Sequence, residues 1–206
     1  MLGEALLRRG MPEITTISTG MQKIQRRSLL YSGMSIFGIV FFALVLLWIF
    51  KPVPMSPYKN AEQGIRINYP KGWQVVESPG PGAIVAFLAP KQEKYINFLP
   101  NVNVTCVPQP RKKLTEEQLT QVTYQQLMTL FQGKMKLVED APIFLAGRTG
   151  HKFQFTGLDT ANSLQYLCAW VWANDCVYVI TYAAPAVYFG EFSRAVDNML
   201  RSFAVE

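Results

Sequence analysis

The run from Leu29 to Phe50, LLYSGMSIFGIVFFALVLLWIF, holds twenty-two residues without a charge. As a helix rising 1.5 Å per residue it spans about 33 Å, enough to cross a hydrocarbon core of roughly 30 Å. The sequence therefore predicts a transmembrane helix at 29–50. Arg8, Arg9, Lys23, Arg26 and Arg27 precede it, opposed only by Glu4 and Glu13, and Lys51 alone follows it. By the positive-inside rule the tail, 1–28, stays cytoplasmic and everything after the span is exported. A cleaved leader is the rival, but it needs an apolar region of about 7–15 residues and a small-x-small site, which LWIFKPVPM lacks. No cysteine closes the span, so a lipoprotein is not supported.

Charge outside the tail is nearly balanced. Residues 1–51 carry six Lys/Arg against two Asp/Glu, and residues 52–206 carry fourteen against twelve, so the basicity is mostly topogenic. Arg111-Lys112-Lys113 is the one basic run in the exported part, and without an aromatic-interleaved basic stripe it does not make a nucleic-acid surface. Prolines at 52, 54 and 57 mark 51–60 as an extended, semi-rigid linker. The remaining stretch, 61–206, is the right length for one domain with its own core.

Within that domain the apolar period changes from 2 to 3.6 and back. Strands are predicted near 64–69, 73–76, 83–88 and 101–107, separated by Pro70-Lys71-Gly72 and Ser78-Pro-Gly-Pro-Gly82. Thr115-Glu-Glu-Gln118 spells a capping box ahead of Leu119, Val122, Leu127, Leu130 and Phe131, predicting a helix over 116–132 that stops at Gly133. Strands follow near 136–139, 143–146, 148–156, 164–172 and 176–182. A last helix beyond Pro185 presents Phe192, Val196, Met199 and Phe203 as one stripe. Grouped strands with two inserted helices read as an α+β fold on a mostly antiparallel sheet.

The hairpin 164–182 draws most interest. A three-residue loop, Ala173-Asn-Asp175, sets Cys168 opposite Ile180 and Cys176 opposite Trp172. One face then shows Tyr166, Cys168, Trp170 and Trp172 with Tyr178 and Tyr182, while the other shows Leu167, Ala169 and Val171 with Val177 and Val179. Both faces are apolar, so each needs a cover, either the two helices or a partner. Tyr166, Trp170, Trp172, Tyr178 and Tyr182 form the candidate interaction surface. In this register Cys168 and Cys176 share a face without being opposed, which favours free thiols, and whether Cys106 meets either one is left open.

Chemistry-bearing constellations are sparse. There is no C-x-x-C and His151 is the single histidine, which leaves zinc clusters and thioredoxin chemistry without support. His151 reads as an exposed residue at a strand start. Glu116-Glu117 fits a helix N-terminus and Glu139-Asp140 a solvated turn. No G-x-S-x-G or phosphate-cradling glycine run is present. The sequence points to no enzyme, no catalytic residue, no metal and no cofactor.

Three stretches in order, Ile67-Asn-Tyr-Pro-Lys-Gly-Trp73, Asn97-Phe-Leu-Pro-Asn-Val-Asn-Val104 and Val179-Ile-Thr-Tyr-Ala-Ala-Pro185 leading to Met199-Leu-Arg-Ser-Phe203, resemble the Mog1/PsbP-like fold, and within it the bacterial DcrB-like group. The resemblance implies an α/β/α sandwich and a non-catalytic adaptor, chaperone or accessory domain. Together with the span, it implies a single-pass protein of a bacterial inner membrane with a periplasmic domain. Such a protein would act as a binding or scaffolding subunit of a cell-envelope assembly, a secretion-machine accessory being one form of it, with the bilayer and other membrane or periplasmic proteins as partners. The alternative is a chaperone or carrier for a hydrophobic peptide or lipid.

Overall fold

The computed structural model describes residues 40–45, 52–95, 97–108, 114–158 and 163–206. The chain divides into two units, Met1–Pro52 and Val53–Glu206. In the first, residues 40–45 are helical, with Val40, Phe41, Phe42 and Leu44 exposed. The rest of the predicted span lies outside the described residues, as do the 1–28 tail and Arg111-Lys112-Lys113. No helix among the described residues is long and apolar enough to cross a membrane.

The second unit contains two sheets. The strands are β1 (Met55–Asn60), β2 (Ile65–Pro70), β3 (Gln74–Glu77), β4 (Ala83–Leu88), β5 (Asn101–Pro108), β6 (Met135–Leu145), β7 (Arg148–Leu158), β8 (Ser163–Ala173), β9 (Cys176–Pro185) and β10 (Ala204–Val205). Helix α1 covers Glu116–Leu130 and α2 covers Ser193–Ser202. The larger sheet runs β3-β4-β5-β9-β8-β7-β6 and the smaller runs β1-β2-β10. Every pairing is antiparallel.

The 51–60 linker expectation is corrected by β1, which pairs with β2 from Met55↔Pro70 to Asn60↔Ile65. Pro57 is tolerated because β1 is an edge strand, where a missing N–H need not break a ladder. The domain therefore starts before residue 61. The two strands expected at 136–139 and 143–146 are one, β6, with a bulge between Leu137 and Glu139. Pro142 sits within it, again on a sheet edge.

Helix α1 keeps its predicted start. The Thr115 hydroxyl accepts from the Gln118 N–H at 3.2 Å and the Gln118 side chain accepts from the Thr115 N–H at 3.0 Å. Its apolar stripe is only partly used: Leu127 and Phe131 pack inward, whereas Val122 and Leu130 are exposed. Helix α2 buries Val196 and Met199, and Phe203 beyond it is buried too.

The hairpin differs from expectation by one residue. The turn is Asn174-Asp175 alone, both at positive φ (49° and 58°), with Ala173 paired to Cys176. Asn and Asp are among the residues that enter the left-handed region, so a two-residue primed turn closes the strands and Ala173 stays in the ladder. Cys168 is then opposite Thr181, and Trp172 opposite Val177. A slip of one residue exchanges every face assignment between β8 and β9. Replacing Asp175 by glycine is expected to stabilise the domain by about 0.5 kcal/mol. Relief of about 1–2 kcal/mol of left-handed strain exceeds about 0.5–1 kcal/mol of added backbone entropy. Urea unfolding of the two chains checks this.

The first face of the large sheet joins Leu167, Ala169, Val171, Tyr178, Ile180 and Tyr182 to α2, Ile65 and Ile67 in the main core. The second face gathers Phe153, Phe155 and Cys168 under Leu127 and Phe131. The two helices thus lie on opposite faces, with the small sheet beside α2. Cys106 and Cys176, a pairing that the sequence leaves open, form a disulfide with Cα atoms 5.9 Å apart. In the observed register Cys106 faces Tyr178, two residues from Cys176, which brings the thiols of β5 and β9 together on the first face. Cys168 is a buried free thiol on the other face.

Candidate functional site

The five aromatic residues singled out by sequence do not share a surface. Tyr178 and Tyr182 lie on the first face, 4% and 0% exposed, and are core. The Tyr182 hydroxyl donates to the Phe189 carbonyl at 2.9 Å and that of Tyr178 to the Gln63 carbonyl at 3.3 Å. Burial first, and then the nearby Tyr95 and Glu191 charges, push the Tyr182 phenol well above its ordinary pKa. The register shift explains the separation: odd residues of β9 accompany even residues of β8, so the two tyrosines of β9 turn away from Tyr166, Trp170 and Trp172.

Those three remain together on the second face. Tyr166 stacks on Phe155 with ring centroids 5.1 Å apart and meets Phe131 at 5.4 Å, anchoring the end of α1. Gly157 leaves the space that the Phe131 ring occupies. Trp170 is 3% exposed and Trp172 is half-buried. Both indole N–H groups are shut off from solvent and neither has a hydrogen-bond partner. A buried donor left unpaired costs about 1–3 kcal/mol, so two on one strand form an unusual pair.

His151 belongs to this face and not to an exposed strand start. It is paired opposite Trp170, its ring stacks on that indole at 5.8 Å and lies 4.9 Å from Phe153, and Nε2 meets the Asp140 carboxylate. Lys152, on the opposite face, bonds Glu139 at 2.7 Å. Glu139 and Asp140 are thus strand residues of β6, each meeting a basic neighbour on β7, and not a solvated turn. The signal available in the sequence was the matched pair of dipeptides, Glu139-Asp140 and His151-Lys152, at positions that alternate across a sheet. Cys168 lies on the same face, where burial pushes its thiol up to about 11; it is a neutral thiol at ordinary pH and a poor nucleophile. No group of three or more metal-ligating side chains comes together among the described residues.

A second polar cluster ties the connection between β4 and β5 to the segment before α2. Lys94 Nζ bonds the Glu191 carboxylate at 2.6 and 2.8 Å, and the Tyr95 hydroxyl donates to it at 2.5 Å. The ammonium lies 5.1 and 5.3 Å from the Tyr95 and Tyr188 ring centres. Lys94 first, then Tyr95, holds the Glu191 carboxyl below its ordinary range. Beside it lies a cleft of about 340 Å³ lined by Lys91, Gln92, Tyr95, Asn97, Phe98 and Leu99.

The PsbP family model matches residues 54–205, from the start of β1 to the last strand. The chain belongs to the PsbP family. Its domain is similar in fold to cyanobacterial PsbP from Synechocystis, with 18% identity, a TM-score of 0.58, and 76% of this chain and 95% of that one covered. It is also similar to the yeast Ran-binding protein Mog1p from Saccharomyces cerevisiae, with 10% identity, a TM-score of 0.53, and 75% and 96% covered. Among curated proteins none matches. The PsbP match includes β1, in agreement with the pairing that draws the proline-rich stretch into the domain.

Proposed function

We propose that this PsbP-family protein is a non-catalytic binding or scaffolding subunit of a cell-envelope assembly, held in a bacterial inner membrane by 29–50 with a cytoplasmic tail and a periplasmic domain of the DcrB-like type. The observation that carries the binding role is the second face, where Trp170 and Trp172 offer buried donors without acceptors. Membrane placement is supported by the uncharged run and the basic tail before it. Export is supported by the Cys106–Cys176 disulfide, since such bonds persist on the oxidising side of a membrane. The yeast neighbour is described as Ran-binding, an instance of this fold serving as a binding module.

The apolar second face also suits a chaperone or carrier of hydrophobic peptide or lipid, and one experiment separates the two roles. The full chain is extracted from native membranes in mild detergent and purified by a C-terminal tag. A scaffold returns a few larger subunits in fixed ratio; a carrier returns a heterogeneous set of clients or lipids. Recovery of the chain alone, with protease added outside intact spheroplasts failing to cut beyond Pro57, overturns both placement and role.

A further inference from the structure

We infer that the second face is a docking strip for an extended apolar peptide segment of a partner, whose backbone carbonyls accept from the indole N–H groups of Trp170 and Trp172. This rests on the binding-module reading above and names the chemistry of its partner. Trp170 and Trp172 alternate along β8 and so point the same way, about 6.8 Å apart at two residues of strand rise. Carbonyls on one side of an extended peptide repeat at that same interval, so a strand laid along β8 meets both donors at once. Few other acceptors carry that period.

The surroundings select a neutral ligand. Val177 and Val179 lie opposite the two tryptophans on β9, His151 is already engaged by Asp140, and Lys152 points to the other face. Among the described residues no free cation is thus offered on this strip to hold a phosphate or carboxylate. Exposed apolar side chains continue the strip outward, with Val107 53% exposed on β5 and Phe144 74% exposed on β6. Access requires the face to open, and the residues Leu127 and Phe131, which pack on the Phe153, Phe155 and Cys168 cluster, lie at the C-terminal end of α1.

The test uses the full chain, 15N-labelled at its four tryptophan indoles, in an ester-free maltoside micelle. Assignment comes from Trp170→Phe and Trp172→Phe. An eight-residue peptide of alternating valine and threonine, blocked at both ends, is titrated in. The expected result is a saturable shift of the Trp170 and Trp172 N–H signals, with that of Trp73 unmoved. Trp172→Phe, which keeps a ring but loses the donor, is expected to weaken binding about tenfold, the value of one hydrogen bond, without lowering the melting temperature. No shift with the peptide overturns the proposal. A shift of both signals by dihexanoyl phosphatidylcholine but not by the peptide also overturns it, in favour of a lipid ester. Peptide shifts without co-purifying subunits leave the strip standing and remove the assembly role; subunits without peptide shifts do the reverse.

Discussion

Phe87→Ala is expected to cost about 4 kcal/mol of unfolding free energy, because a fully buried phenylalanine is lost and the cavity it leaves cannot collapse. Phe87 stands on β4 of the large sheet, and its neighbours come from the small one. The Tyr58 ring of β1 meets it edge-on at 5.6 Å and the Tyr69 ring of β2 stacks on it at 5.0 Å. The contact therefore joins the two sheets, and closing the gap would require the small sheet to shift against the large one. Urea unfolding followed by tryptophan fluorescence measures the loss. A cost below about 1 kcal/mol, within the range of ordinary surface changes, would mean that β1 and the small sheet are not packed as described.

The second large effect concerns the crosslink between β5 and β9. Replacing Cys106 and Cys176 together by alanine is expected to cost about 4 kcal/mol, since the bond closes a loop with a sequence separation of 70 and the unfolded chain regains that freedom. Mild reduction of the unmodified protein is expected to lower its stability similarly. Thiol titration in denaturant decides whether the bond is present. One reactive thiol, Cys168, is expected before reduction and three after. Three before reduction would remove both the crosslink and the support it lends to an exported domain.

Local signals in the sequence were sufficient wherever an element's ends are chemically marked. Thr115 and Gln118 define the start of α1 because the capping box is made of side chains three residues apart, and it forms as spelled. The alternation of β2 and the continuous apolar run of β4 are equally plain, and with the capped helix they give the antiparallel α+β class. Long-range pairing was not legible. Prolines 54 and 57 read as a spacer because nothing local says that β2 will supply a partner and that β1 will lie at an edge. The hairpin hinged on whether Ala173 belonged to the turn, and two positive φ values at Asn174 and Asp175 put it in the strand. That single residue moved Tyr178 and Tyr182 into the core and left Tyr166, Trp170 and Trp172 on the other side. The crosslink of Cys106 needed the register of β5 on β9, strands some seventy residues apart in the chain, as well as the corrected hairpin.

Strand β6 has a further consequence. Eleven residues long and last in its sheet, it is the border along which a second molecule would most readily extend the ladder. The bulge after Leu137 twists that border and Pro142 deprives it of a donor, while Lys136, Glu139 and Asp140 place charge along it. Zipping rim to rim into fibres is thereby disfavoured along this border.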